Sequence, residues 1–376
     1  MSIFENHKTR AARKARSLLS GLAFGKRARR QLAGKDREIA ALRRELAGVR
    51  GLADGAPTPD PPPVFFVVGY QKSGTTWLME MLDAHHEILC RGEGRPFGRD
   101  FRKEKRSGYP PTSLSGAIAG SEDLRRWIER SVWTRGDDAD EHLDNLTRLA
   151  VEYFLTRRLS ETGKKLVGDK TVLLGPEMVA EISEICPEAK VIHIIRDGRD
   201  VVVSATHHVW NQAEDRGGTS ALNAQQRVKR EAYRENVAEL LKTDDGMFVR
   251  KWLKSSAERW NERVGRAAED GASLLGANYA EVRYEDLLTR PEQELGRLLR
   301  FLGADADERT VSRCVEAVSF EKLSKGRKPG QEAASFYRKG VAGDWKNVFT
   351  ERNRRDFEEK AGDLLVKLGY EKSHDW

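Results

Sequence analysis

The chain has 376 residues, 39% of them hydrophobic, and a formal net charge of +7. That is enough apolar material for one large α/β domain with appendages, and no apolar run reaches the roughly 18 residues that a membrane-spanning helix needs. The positive charge is local: residues 1–50 hold 14 Lys/Arg against 4 Asp/Glu, so any affinity for anionic surfaces belongs to that segment and not to the rest of the chain.

In chain order, the short apolar patch Leu18 to Phe24 is interrupted by Gly21 and followed by the charges of Lys26 to Arg30. It makes a poor signal peptide, which favours a cytoplasmic location. Leu32, Ile39, Leu42, Leu46 and Val49 recur mostly at three- and four-residue steps between charges, predicting a basic exposed helix within residues 1–50 that is able to form a coiled-coil seam. Self-association into a homo-oligomer and peripheral docking on an anionic membrane surface stay open as its roles, and nucleic acid is not expected as a partner. Residues 51–63, with Pro57, Pro59, Pro61, Pro62 and Pro63, form a semi-rigid linker.

A single domain is expected over residues 64–376. Val64 to Gly69 is an apolar strand that runs into Tyr70-Gln71-Lys72-Ser73-Gly74-Thr75-Thr76-Trp77 and a helix to Ala84, the local architecture of a phosphate-cradling loop. The spacing of Gly69 and Gly74 fits a nucleoside-triphosphate loop, but Thr75 and Thr76 stand where that loop needs lysine. The lysine is Lys72, before the second glycine. With the Ser73 and Thr75 hydroxyls and consecutive backbone N–H groups, it suits an oxyanion at the 5′ end of a nucleotide better than Mg²⁺-bridged β,γ-phosphates.

Residues 94–120 are rich in Gly, Arg, Pro and Ser and read as an irregular surface excursion. A helical pattern follows from Leu143 to Leu159, then a short strand, Leu166 to Gly168, leads into Asp169-Lys170-Thr171. Pro176 opens a helix that stops near Pro187, and Val191 to Ile195 is a buried strand ending at Arg196. A charged helical insertion over 210–266 precedes a strand from Tyr279 to Tyr284 and a helix from Pro291 to Leu302. This alternation predicts a P-loop-type α/β domain with a central parallel sheet flanked by helices. Ligands should gather at the carboxyl ends of the strands, where Lys72, Lys170, Arg196 and Tyr284 fall. Cys90, Cys186 and Cys314 lack metal-ligand spacing and read as reduced packing cysteines; His193, inside a strand, reads as a core histidine.

Four ordered blocks resemble the PAPS-dependent sulfotransferases, and the resemblance covers nearly all of residues 64–370. Gln71-Lys72-Ser73-Gly74-Thr75-Thr76-Trp77 is similar to the family's 5′-phosphosulfate loop, which implies that Lys72 meets the bridging oxygen and sulfuryl group and Trp77 stacks on adenine. Arg196 and Ser204, eight residues apart across a strand-to-helix turn, resemble the 3′-phosphate block. Tyr284-Glu285-Asp286-Leu287 carries the tyrosine near adenine, and Ser319-Phe320 resembles an adenine-side contact. Arg338-Lys339-Gly340, opening a segment that runs to Thr350, resembles the loop that closes over the 3′-phosphate. The resemblance implies PAPS as cofactor, adenosine 3′,5′-bisphosphate (PAP) as product, no metal, and sulfuryl transfer to an acceptor hydroxyl, with Lys72 and Lys170 stabilising charge at the reacting centre.

Two departures matter. The small-molecule cytosolic branch has a histidine base two residues after the lysine, and Val172 stands there. Cys90-Arg91-Gly92-Glu93-Gly94-Arg95 instead resembles the glutamate-base segment of tyrosylprotein sulfotransferases. That likeness implies Glu93 as base and Arg95 as a group orienting the base or the acceptor. His207 and His208 are rival bases, and His207 a further acceptor contact. The cytosolic branch's dimer segment is only partly present: Lys346 and Thr350 persist, but Glu351 and Arg355 replace its Val and Glu. A carbohydrate, glycolipid or peptidyl hydroxyl is favoured over a small phenol. The rival readings are a P-loop kinase or NTPase and a catalytically inactive PAPS-binding scaffold.

Overall fold

Val64–Gly69 forms β1, the central strand, and all six of its residues are buried because helices cover both faces of the sheet. The computed structural model describes residues 63–99, 113–134, 138–215, 222–332, 335 and 337–376. The expected basic helix within 1–50 and all but the last residue of the proline-rich linker lie outside the described residues. With β2 (Ile88–Gly92), β3 (Leu166–Val172), β4 (Lys190–Ile195) and β5 (Tyr279–Arg283), β1 makes a parallel sheet in the order β2-β3-β1-β4-β5. The chain therefore lays β2 and β3 on one side of β1 and β4 and β5 on the other, opening a crevice at the carboxyl ends of the middle strands.

The helices are α1 (Thr75–Asp83), α2 (Leu114–Ala119), α3 (Glu122–Arg130), α4 (Ala139–Ser160), α5 (Met178–Ile185), α6 (Gly198–Asp215), α7 (Ala224–Glu235) and α8 (Val237–Leu241). They continue with α9 (Arg250–Asp270), α10 (Tyr284–Thr289), α11 (Pro291–Leu302), α12 (Glu308–Ala317), α13 (Phe320–Leu323) and α14 (Glu351–Lys367). Period-two alternation along β1 divides its side chains between two layers. Phe65 and Val67 pack with Leu78, Met81, Leu287 and Leu295, while Val64, Phe66 and Val68 pack with Phe97, Val151 and Met178. A third cluster joins α6, α9 and α14 through Val202, Trp260 and Phe357. Each fully buried side chain of this size contributes about 1.5–3 kcal/mol.

Several sequence expectations are corrected. β3 runs to Val172 instead of ending at Gly168, because Asp169 to Thr171 pair with β1 from Phe66 to Val68; a central position overrides poor strand propensity. β2 was not anticipated at all. The helix expected from Pro176 starts at Met178. Residues 210–266 are not one insertion. α6 begins directly after β4, and α9 buries Leu253, Ala257, Trp260 and Val264 in the core. Within 94–120, Ser113 accepts a hydrogen bond from Gly116 N and caps α2, while 100–112 lies outside the described residues. Cys90, Cys186 and Cys314 are free and buried. His193 is buried beside the Tyr279 hydroxyl at 2.7 Å, and burial pushes it down to about 3.

Candidate active site

A cavity of about 300 Å³ opens at the carboxyl ends of the strands, with walls drawn from Tyr70 to Val341. Its floor is the loop between β1 and α1. Ser73 N donates to Tyr70 O at 3.1 Å, closing the turn, and Gly74 adopts φ +94°, where a Cβ would lie 2.6 Å from the Tyr284 ring. Glycine is therefore required there twice, by conformation and by the approach of the aromatic ring. Lys72 itself has φ +67°, an uncommon conformation for a side-chain-bearing residue and one that costs of order 1 kcal/mol. Burial, followed by the Arg196 and Lys170 charges, pushes the Lys72 ammonium down to about 8. The Ser73 hydroxyl is buried with no hydrogen-bond partner, although buried polar groups normally find one. A hydroxyl and an amine held this way beside a helix N-terminus fit an oxyanion.

The opposite wall carries the remaining sequence blocks. Arg196 donates to the Lys72 carbonyl at 3.1 Å and the Val341 carbonyl at 3.2 Å, and its guanidinium lies 4.2 Å from the Tyr284 ring centre. Its Nε has no hydrogen-bond partner, which leaves a donor for a phosphate oxygen. Trp77 meets Tyr284 edge-on at 5.8 Å and donates its indole N–H to the Val318 carbonyl at 3.0 Å. Phe320 lines the cavity together with these two rings. Gly340, at φ +63°, packs against Phe320 so closely that a Cβ would lie 2.4 Å from its ring. Arg338 and Lys339 enter the same wall, paired with Asp344 and Glu332. Ser204 and His208, one turn apart on α6, also face the cavity.

On the β2 and β3 side, Gly92 lies beside Lys170 in the register. A Cβ on Gly92 would fall 2.6 Å from Lys170 Cε, so glycine lets the lysine side chain cross it. Lys170 is buried, and its ammonium donates to Glu93 Oε1 at 2.8 Å; the Glu93 side chain is 46% exposed and lines the cavity. Asp169, next to that lysine, accepts from Gly94 N at 2.9 Å and is raised by burial to about 7. Arg95 lines the cavity beside Glu93.

Gln71, Lys72, Gly74, Thr75, Thr76, Trp77, Glu93, Arg95, Arg196, Ser204, Tyr284, Phe320, Arg338, Lys339 and Gly340 therefore meet in one cavity, with Ser73 and Lys170 buried immediately behind its wall. Two assigned residues are not brought there. Ser319 caps α13, its hydroxyl accepting from Lys322 N. His207 turns away from the cavity against Trp210 and Tyr233, with ring centres 5.3 and 5.2 Å distant, because adjacent residues on a helix point about 100° apart. Its neighbour His208 takes the cavity-facing position, and burial, then Lys72, push that imidazole down to about 4. Arg259, Arg263, Leu288 and Tyr337 also line the cavity. Sequence reasoning did not single them out, since a charged helical stretch without its partners reads as a solvated face.

The family model described as "Sulfotransferase family" matches residues 63–308. Sulfotransferase 1B1 of Canis lupus familiaris is 31% identical over 308 residues, covering 79% of this chain and 81% of that protein. Human sulfotransferase 1C2 is 34% identical over 86 residues, covering 20% of this chain, and rat sulfotransferase 1A1 is 26% identical over 181, covering 46%. The chain spans 29% and 54% of those two relatives' lengths. Among solved structures, mouse sulfotransferase SULT7A1 complexed with PAP aligns with a TM-score of 0.45 and 19% identity, covering 81% of this chain and 85% of that one. With a family model matching more than half of its length, the chain belongs to the sulfotransferase family.

Proposed function

We propose that this protein transfers the sulfuryl group of PAPS to an acceptor hydroxyl, leaving PAP. The observation that carries the reading is the convergence of Lys72, Trp77, Arg196, Tyr284, Phe320, Arg338 and Lys339, distant in sequence, on one cavity. When bound, PAPS supplies an activated sulfuryl group whose S–O bond to the 5′-phosphate breaks as the acceptor O–S bond forms. Lys72 and the α1 N-terminus hold charge on the 5′ side, where a cation in a water-poor site is worth most. Arg196, Arg338 and Lys339 hold the 3′-phosphate with charge-assisted hydrogen bonds. Trp77, Tyr284 and Phe320 offer the base an aromatic slot. Glu93 takes the acceptor proton, and Lys170 fixes its carboxylate.

Val172 cannot act as a base, so Glu93 fills that role in this reading. His208 is the rival because it lines the same cavity, although burial and then Lys72, which push its imidazole down to about 4, keep it neutral but make it a weak proton acceptor. The acceptor is proposed to be a carbohydrate, glycolipid or peptidyl hydroxyl. Radiolabelled sulfuryl transfer from PAPS to a panel of these and of phenols tests the reading. Labelled product is the expected result. ATP hydrolysis with Mg²⁺ and no PAP binding would favour a kinase or NTPase instead, and PAP binding without transfer to any acceptor would favour an inactive scaffold.

A further inference from the structure

Arg327 is not among the described residues that line the cavity, yet its side chain holds the wall that carries Arg338 and Lys339. Nη1 donates to the Gln331 carbonyl at 3.0 Å and the Arg338 carbonyl at 2.8 Å. Nη2 donates to the Ser335 hydroxyl at 2.8 Å and the Tyr337 carbonyl at 2.5 Å, and Nε donates to the Ser324 carbonyl at 3.3 Å. Gly330 N donates to the Lys339 carbonyl at 2.8 Å. The successive carbonyls of Tyr337, Arg338 and Lys339 are therefore all held from residues 327–330. Residues 337–340 belong to no helix or strand, so no regular ladder supplies these donors and a side chain does so instead. The same wall is pinned at its flanks: the Tyr337 hydroxyl donates to Glu80 Oε2 of α1 at 2.6 Å, and Asp200 accepts from Gly343 N at 2.7 Å and Trp345 N at 2.9 Å. The Arg327 guanidinium also lies 5.4 Å from the centre of the Phe320 ring, the ring against which Gly340 packs.

We propose that Arg327 is a positioning residue for the 3′ end of the nucleotide. It fixes the backbone of residues 337–340 so that Arg338 and Lys339 are aimed at the 3′-phosphate before it arrives, and the preference of the site for a 3′-phosphorylated nucleotide depends on it. The inference rests on the transfer reading and deepens it by naming what orders this wall. A planar guanidinium with five N–H donors in a rigid fork holds several carbonyls in fixed relation, whereas a lysine ammonium is a point charge on a flexible stem. Ordering the wall in the free protein removes that cost from binding. Loss of the fork is therefore felt only by a ligand that uses Arg338 and Lys339. AMP, which lacks the 3′-phosphate, does not use them.

The test is calorimetry of PAP and AMP on the full chain, with Arg327→Lys, which keeps the charge and loses the fork, and Arg327→Met, which loses both. Each variant should weaken PAP by about tenfold or more and change AMP by less than about twofold. In a chain that already carries Arg338→Ala and Lys339→Ala, Arg327→Lys should weaken PAP by less than about twofold further, because the side chains it positions are gone. A transfer assay should show KM for PAPS rising more than kcat falls, since Lys72 and Glu93 lie outside this wall. Equal losses for PAP and AMP would make Arg327 a general support of the fold. Parental PAP binding by Arg327→Lys would reduce its role to charge, and an undiminished loss in the chain lacking Arg338 and Lys339 would show that it does not act through them. Each of these overturns the proposal, and if Arg327→Met does not fold, Arg327→Lys decides by the same comparisons. Failure of the parent protein to bind PAP, or to prefer it to AMP, would instead sink the reading of the nucleotide site beneath it.

Discussion

Binding of PAP should draw a proton onto Lys72. In the free protein this ammonium is held down to about 8, against an ordinary value of 10.5, by burial and by the Arg196 and Lys170 charges. A bound 5′-phosphate brings negative charge beside it and raises it again. The sign follows: below pH 8 the lysine is charged before and after binding and affinity is flat, while above pH 8 the free amine must be protonated on binding and affinity falls. If the bound group regains its ordinary value, the coupling is at most about 3.4 kcal/mol and the slope at most tenfold per pH unit. At pH 8.5, where phosphate monoesters are already fully ionised, about 0.8 proton should be taken up per PAP. Calorimetric titration in buffers of different ionisation enthalpy measures that number. Lys72→Met should bring it near zero and flatten the pH dependence above 8. Equal uptake by parent and Lys72→Met, or no uptake by the parent at pH 8.5, would refute the placement of Lys72 against the 5′ end.

Three further outcomes are expected. Glu93→Gln should lower turnover by about 10²–10⁴-fold with PAP affinity nearly unchanged; if it stays active while His208→Ala abolishes transfer, the base is the histidine. Arg196→Ala should weaken PAP by about 2–4 kcal/mol, since it strips a charge-assisted partner from the 3′-phosphate, yet barely affect AMP, and equal losses for both nucleotides would make the arginine structural. Deleting residues 1–55 should leave nucleotide affinity intact by calorimetry, because the cavity walls come from Tyr70 to Val341; loss of folding or of PAP binding in the truncated chain would contradict the reading of that segment as an appendage.

The sequence by itself determined what is local. The strand, turn and helix from Val64 to Ala84 are contiguous, so their hydrogen bonds and the glycine that the turn requires could be read from residue types alone, and the strand–helix alternation was enough to place Arg196 and Tyr284 at strand ends. Tertiary structure decided the rest. β2 exists because Ile88 to Gly92 find a neighbour in β3, a partner 78 residues away at Ile88–Leu166, and β3 extends to Val172 for the same reason. Helix phase, not sequence, chose His208 over His207 for the cavity, since burial against Trp210 and Tyr233 fixes which face of α6 points inward. Arg259 and Arg263 carry no local mark that separates them from the many exposed arginines of this chain. Only the packing of α9, through Trp260 and Val264, turns their side of the helix toward the cavity, because a side chain's chemistry depends on what the folded chain brings opposite it.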